Sequence, residues 1–325
     1  MDEFSLIQQY FQREKPQRKS QQNSSTGVNL GIGDDAALLA PPTNHELVIS
    51  TDTLIAGRHF PLDTNPFDIG WKAVAVNLSD LAAMGATAHS ILLALTLPKA
   101  DPDFLAKLAE GIFALCDTLN VTLVGGDTTR GETLTLTVTA LGWIPTGQAI
   151  LRSGAQIGDL IVVSNTLGDA AYALQQLNNP QLDPNLKSRL DRPTPRLALG
   201  NALRGYASAM LDISDGLAQD LGHILVTSDV AARIDIEKLP FSAPLAALNL
   251  EQRASLALSG GDDYELCFTI SPQKFADFQQ LWSGNDLPLT VIGEIVQHAQ
   301  ENQRLTILHN HLPFHVNTKG FKHFD

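Results

Sequence analysis

Several acidic residues sit where acids are seldom placed for solubility alone. Asp34 and Asp35 follow Gly31-Ile32-Gly33, and Asp52 lies in Ser50-Thr51-Asp52-Thr53. Asp80 falls in a stretch otherwise rich in Leu, Ala and Val. Asp127 follows Gly125-Gly126, Asp212 and Asp215 flank Ile213-Ser214, and Asp262 and Asp263 follow Gly260-Gly261. A single Asp in a turn ordinarily makes an Asx turn or a helix cap. Asp35 could cap a helix begun by AALLA, and Asp215 one begun by GLAQDLGHIL. So many such sites are harder to explain as caps alone. Crowded carboxylates raise one another's pKa unless a cation intervenes. Hard oxygen donors without paired His or Cys suit Mg²⁺ or Ca²⁺ rather than zinc. No EF-hand loop is present, and Mg²⁺ takes one or two carboxylates plus substrate phosphates. The pattern therefore suggests several Mg²⁺ ions holding a polyphosphate.

The glycine turns fit that picture, because glycine lets backbone N–H groups approach a phosphate. There is no GxxxxGK[ST] P-loop and no GxGxxG after a strand, so a nucleotide would be bound some other way. Arg130 in DTTRG and Arg152 in LRSGA lie in turns near the acidic segments, as phosphate clamps or as plain surface arginines. His59, in AGRHF, is a candidate substrate contact. No HExxH pair, nucleophile constellation or general acid/base stands out.

These residues need elements to hold them. Apolar periodicity predicts a helix over residues 2–13, from Phe4, Leu6, Ile7, Tyr10 and Phe11, then a polar loop over 13–27. Leu47–Ser50 reads as a strand, 67–84 as a helix, SILLALTLP as a buried strand and 102–119 as a helix opened by Pro102. VTLVGGD is a short strand, and TLTLTVTALGW alternates as a half-buried strand does. A turn-rich segment near residue 150 separates residues 1–148 from 149–325. The second half predicts helices at 169–177, 196–207, 217–228 and 273–282, strands at DLIVVSN, AMLDISDG, 289–296 and 304–309, and in ALSGGDDYELCFTI a glycine turn entering a further strand. The fold class is α/β or α+β in each half.

Composition bounds the rest. At 325 residues, 44% apolar and 18% charged, the chain suits two folded domains. A net charge of −13 argues against binding to nucleic acid or an anionic membrane. No apolar run approaches a membrane span, and the acidic, amphipathic start is unlike a signal peptide. Cys116 and Cys267 lie in apolar stretches, as buried thiols of a reducing cytoplasm do.

GIGDDAALL, STDTLIAGRHF, AVNLSDLAAMGA, LVGGDTTRG, LRSGA, LDISDGLAQDLGHI, LSGGDDYELCF and KGFKHF occur in that order over essentially the whole chain. Together they resemble the bacterial thiamine-monophosphate kinases, of the aminoimidazole-ribonucleotide-synthase-like superfamily, which binds ATP without a P-loop. The resemblance implies an N-terminal α/β half whose strands join a partner's in a shared barrel of a homodimer, and a C-terminal α/β half closing the site. It implies transfer from ATP to thiamine monophosphate. By motif position, Asp35, Ser50, Thr51, Asp52, Asp80, Asp127, Asp212 and Asp215 would serve the Mg²⁺ cluster. Gly126, Asp127, Arg152 and Ser214 would contact ATP, and His59, Asp262 and Phe321 the thiamine monophosphate. The family often has Glu where this chain has Asp262. The rivals are another enzyme of the superfamily, such as aminoimidazole ribonucleotide synthase or selenophosphate synthase, and a non-catalytic nucleotide-binding protein. Selenophosphate synthase typically carries a reactive Cys or selenocysteine near its start, and here no Cys precedes Cys116.

Overall fold

A run that alternates Thr with Leu, Val or Ala buries one face against a core. A computed structural model shows how, describing residues 3–13, 27–283, 286–298 and 304–316. The chain divides into two units: Met1–Leu81 with Ala86–Gly147, and Ala82–Gly85 with Gln148–Asp325.

The first unit opens with a helical turn, α1 (Glu3–Leu6), that widens into a π-helical turn over Ile7–Phe11, with Leu6 and Phe11 buried. β1 (Val28–Leu30) pairs antiparallel with β2 (Leu38–Leu39). AALLA is therefore part of a strand pair, and Asp35 caps no helix there. Next come β3 (His45–Ile55), α2 (Pro66–Ala83), β4 (Thr87–Leu97), α3 (Pro102–Leu119), β5 (Thr122–Arg130) and β6 (Thr135–Pro145). The sheet order is β3-β6-β4-β5, with β4 and β5 parallel and the other pairs antiparallel. Central β6 alternates buried and half-buried residues along its whole length. Gly70 and Gly111 let α2 and α3 touch backbone to backbone: a Cβ on Gly111 would lie 1.9 Å from the Phe67 carbonyl oxygen. Pro102 opens α3 under an Asp101 cap that accepts from the N–H groups of Asp103 and Phe104 at 3.1 and 3.2 Å.

The second unit holds β7 (Leu160–Ser164), α4 (Asp169–Gln175), α5 (Pro184–Asp191), α6 (Leu197–Ala202), β8 (Ala209–Asp212), α7 (Leu217–Thr227) and β9 (Ala231–Asp235). It continues through α8 (Ala243–Ala246), α9 (Leu250–Ser259), β10 (Leu266–Ile270), α10 (Pro272–Trp282), β11 (Leu289–Val296), β12 (Leu305–His309) and β13 (Leu312–Pro313). Its seven-stranded sheet runs β13-β12-β9-β11-β7-β10-β8, antiparallel except for the β12/β9 pair. Ile161, Val163, Leu211 and Ile292 of the sheet pack with Leu221 and Ile224 of α7 in one buried core. Both units mix strands and helices in the α+β manner the patterning predicts. Cys116 and Cys267 are free and buried. Burial pushes the Cys116 thiol up to about 12 and the Cys267 thiol higher still, so neither is reactive at neutral pH.

Candidate functional site

In the first unit the NLSD segment of α2 docks beneath β3. Asn77 is fully buried and accepts the Asp52 N–H through Oδ1 at 2.9 Å, while its Nδ2 donates to the Ala73 carbonyl at 2.9 Å. One turn on, Asp80 Oδ2 accepts from Ser50 Oγ. Ser50, Asp52 and Asp80 are thus gathered by one helix–strand contact. Thr51 points to the other face of β3, where its hydroxyl donates to Thr139 Oγ1 of β6 at 2.9 Å. Asp35 is exposed in the β1–β2 loop, its N–H donating to Asp34 Oδ1 at 2.9 Å. Nδ1 of His59 accepts the Ile55 N–H at 2.9 Å, which leaves the proton of the neutral ring on Nε2.

Asp127 starts from another strand. Asp52, Val138, Leu93 and Gly126 form one cross-strand row over β3, β6, β4 and β5. Three strand spacings, roughly 14 Å measured across the strands, separate the two ends of that row. Gly126 has φ +150, and a Cβ there would lie 1.8 Å from the Leu93 carbonyl oxygen, so no larger residue lets β5 lie this close to β4. Asp52 and Asp127 therefore project from opposite edge strands of one sheet.

The second unit holds its acids differently. β8 ends at Asp212, and the loop Ile213–Gly216 leads into α7. Asp262 donates its N–H to the Ser214 carbonyl at 2.9 Å, and Tyr264 its N–H to the Ile213 carbonyl at 2.8 Å. The candidate ATP-binding loop and the candidate substrate-binding loop are thus bonded directly to each other. Asp262 has φ +69, and its carboxylate accepts from the Tyr264 hydroxyl at 3.2 Å. Asp215 does not cap α7: its carboxylate accepts from Gln219 Nε2 at 3.1 Å, and Gly216 holds the cap position without a side chain. Asp220, in the first turn of α7, instead reaches back to the N–H groups of Ser214 and Asp215 at 3.0 Å each. Burial, with Asp215 adding repulsion, pushes the Asp220 carboxyl up to about 7 despite those bonds. Arg152 is exposed, and its carbonyl accepts from Thr227 Oγ1 at the far end of α7 at 2.9 Å. Phe321 lies outside the described residues.

Beneath these loops runs a buried ionic network. Glu265, wholly buried, accepts from Arg189 at 2.7 Å, from Arg196 at 2.7 and 2.5 Å, from Ser164 Oγ at 2.5 Å and from Asn165 at 3.0 Å. Asp263 accepts the Gly168 N–H with both oxygens. Burial drives its carboxyl well above the usual range, against the pull of Arg189. The residues that sequence reasoning missed are Asn77, Asp220 and Glu265. The visible signal was a polar residue inside an apolar run: Asn77 in AVAVNL and Asp220 in LAQDLGHIL.

Two family models match. The AIR synthase related protein N-terminal domain covers residues 33–144, and its C-terminal domain covers residues 156–304. The thiamine-monophosphate kinase of Escherichia coli K12 is 44% identical over 330 residues, covering 99% of this chain and 98% of that protein. This chain belongs to the thiamine-monophosphate kinase family. A Bacillus subtilis thiamine-monophosphate kinase is 34% identical over the full length of both chains. The crystal structure of the Stenotrophomonas maltophilia thiamine-monophosphate kinase superposes with a TM-score of 0.82 at 48% identity, covering 87% of this chain and 92% of that one. AaThiL complexed with AMPPCP and TMP superposes with a TM-score of 0.75 at 31% identity, covering 93% of each chain. The family read from the eight motifs is borne out, and so is its α/β class.

The donor set of this thiamine-monophosphate kinase family member fits magnesium. The candidate side chains, carboxylates with the hydroxyls of Ser50 and Thr51, are all hard oxygen donors. Among the described residues, no three His, Cys, Asp or Glu gather closely enough to hold a metal ion by themselves.

Proposed function

We propose that this chain transfers the γ-phosphoryl group of ATP to thiamine monophosphate, giving thiamine diphosphate and ADP. The supporting observation is the direct bond between Asp262 N–H and the Ser214 carbonyl, which seats the candidate substrate loop beside the candidate ATP loop. Family membership supplies the reaction. By motif position Mg²⁺ would be held by Asp35, Ser50, Thr51, Asp52, Asp80, Asp127, Asp212 and Asp215, with Thr51 set apart from its neighbours by a hydroxyl that turns to Thr139 on the other face of β3. ATP is held by Gly126, Asp127, Arg152 and Ser214, and thiamine monophosphate by His59, Asp262 and Phe321. Bound Mg²⁺ neutralises charge between the two anionic substrates.

The acceptor is a phosphate monoester with a second pKa of about 6, so it is mostly dianionic at neutral pH. It attacks without a general base, and none is needed from the protein. What the chain contributes is in-line positioning and a charge-compensated site. The thiazolium cation suits a pocket with a carboxylate and an aromatic wall. Partner and place follow the same reading. β3 and β5 are the edge strands of their sheet, and exposed Leu47 and Ile49 on β3 suit pairing with a second copy in a cytoplasmic homodimer. Light scattering giving a monomer removes that partner.

The deciding experiment is ADP release with thiamine monophosphate, thiamine and other phosphorylated acceptors in parallel. Thiamine monophosphate is the efficient acceptor. Thiamine, whose hydroxyl must lose a proton to a base, is not. Efficient conversion of thiamine, or a labelled phosphoenzyme trapped from γ-labelled ATP without acceptor, overturns direct transfer.

A further inference from the structure

The loop Asp212–Gly216 carries three residues assigned above to Mg²⁺ and ATP, yet those side chains do not determine how its peptides point. Its backbone is held from two sides. The Ile213 N–H donates to the Glu265 carbonyl at 2.8 Å, and the Ile213 and Ser214 carbonyls accept from Tyr264 and Asp262. That accounts for one side. The N–H groups of Ser214 and Asp215 turn the other way, and both are taken at 3.0 Å by one oxygen, Oδ2 of Asp220. Asp220 is only 4% exposed, so water is a poor substitute for that oxygen. Its own backbone N–H closes on the Gly216 carbonyl at 3.1 Å. Side chain and main chain of one residue therefore clamp the loop to the first turn of α7.

Gly216 makes that clamp necessary. It sits at φ +110, and a Cβ there would lie 2.9 Å from the Leu258 carbonyl oxygen and equally close to Ser259. The loop thus enters the helix through a residue that supplies no capping side chain and tolerates many conformations. Removing Asp220 would leave two adjacent N–H groups without an acceptor beside a pivot glycine. The peptides that aim the Ser214 hydroxyl and the Asp215 carboxylate would then be loosened, with Gln219 Nε2 left to steady the Asp215 side chain.

We propose that Asp220 is a positioning residue for ATP and Mg²⁺: its Oδ2 sets the orientation of the Ser214–Asp215 backbone, and so the aim of their side chains. The inference rests on the assignment of Ser214 and Asp215 given under the proposed function. What the site requires of Asp220 is an acceptor oxygen at that place. Asp220→Asn keeps one in Oδ1, whereas Asp220→Ala removes it and Asp220→Glu displaces it.

The test uses the full-length enzyme with ATP, Mg²⁺ and thiamine monophosphate, beside Ile307→Ala, a core variant of the same unit chosen to lower Tm comparably. Asp220→Ala and Asp220→Glu should raise the KM for ATP and the half-saturating Mg²⁺ concentration at least about tenfold. The KM for thiamine monophosphate should change less than about threefold, and Asp220→Asn should stay within about threefold of the parent throughout. Hydrogen exchange gives a readout apart from turnover. The Ser214 and Asp215 amides should exchange faster in Asp220→Ala and Asp220→Glu, and not in Asp220→Asn. If Asp220→Ala and Asp220→Glu lower Tm as Ile307→Ala does while the KM for ATP stays put, Asp220 is a packing residue and the proposal fails. Equal losses in Asp220→Asn and Asp220→Ala would also overturn it, because charge rather than the acceptor oxygen would then matter. Should Asp220→Ala not fold, the Glu and Asn pair decides alone. Absence of turnover in the parent enzyme fails the proposed function instead, and the exchange data still test the clamp.

Discussion

The two units present their acids in opposite ways. In the first, Asp34, Asp35, Asp52 and Asp127 are exposed on a loop and on edge strands. In the second, Asp212, Asp220, Asp263 and Glu265 are buried, and the last three carry backbone amides or guanidinium groups. An exposed carboxylate stays charged cheaply and keeps lone pairs for an ion. A buried one costs desolvation and is retained where its bonds hold backbone in place. The first set therefore reads as chemistry and the second largely as scaffold. Asp212 and Asp215, at the loop the scaffold holds, belong with the chemistry.

That division breaks first if the acids of the first unit prove dispensable. Asp52→Asn, Asp80→Asn and Asp127→Asn should each lower kcat by about 10²–10³, the scale of losing one preorganised charge-stabilising contact. Their Tm should change little for Asp127, which is exposed, and more for Asp80, which accepts from Ser50. Near-normal turnover in a folded variant removes that residue from the metal set.

How far the sequence disclosed this division depends on range. Local signals were readable: Pro102 and Asp101 open α3 where the pattern says, and the Thr/Leu alternation of β6 appears in its burial. AALLA misled because two leucines in a short strand carry no period, and only pairing with Val28–Leu30 decides them. α5 and α9 escaped notice for a related reason, being short and polar on much of their surface. The candidate ligands were legible because acids beside glycine stand out. Their supports were not, since Asn77 to Asp52 and Glu265 to Arg189 and Arg196 are contacts between distant segments.

The scaffold half is sharpened by Glu265. Replacing Arg196 with Leu leaves part of a wholly buried carboxylate uncompensated, and should cost about 3–5 kcal/mol in urea unfolding. The companion double variant, Glu265→Gln with Arg196→Leu, should recover part of that loss. A cost under about 1 kcal/mol for Arg196→Leu would mean that Arg189 alone suffices. A smaller effect belongs to Phe321, whose aromatic ring we assign to the thiamine end. Phe321→Ala should raise the KM for thiamine monophosphate by roughly 2- to 30-fold and leave the KM for ATP nearly unmoved. A fall in Tm with both KM values unchanged makes Phe321 a packing residue.

The finest test concerns pH. Asp263 is 3% exposed, and burial raises its carboxyl well above the ordinary carboxylate range. The folded protein therefore binds its proton more tightly than the unfolded chain does. Linkage then makes the Asp263 contribution complete below about pH 4, with stability lost as pH rises through its higher folded value. Arg189 opposes the shift, and the two oxygens on the Gly168 N–H oppose it further, so the loss is partial. Asp263→Asn keeps an oxygen for Gly168 and removes the titration. Unfolding free energies of parent and variant, measured in urea without Mg²⁺ from pH 4 to pH 8, should diverge in favour of the variant as pH rises. Parallel curves would show that Arg189 holds Asp263 ionised throughout, so that this buried acid behaves as half of an ion pair and not as a carboxyl trapped by its surroundings.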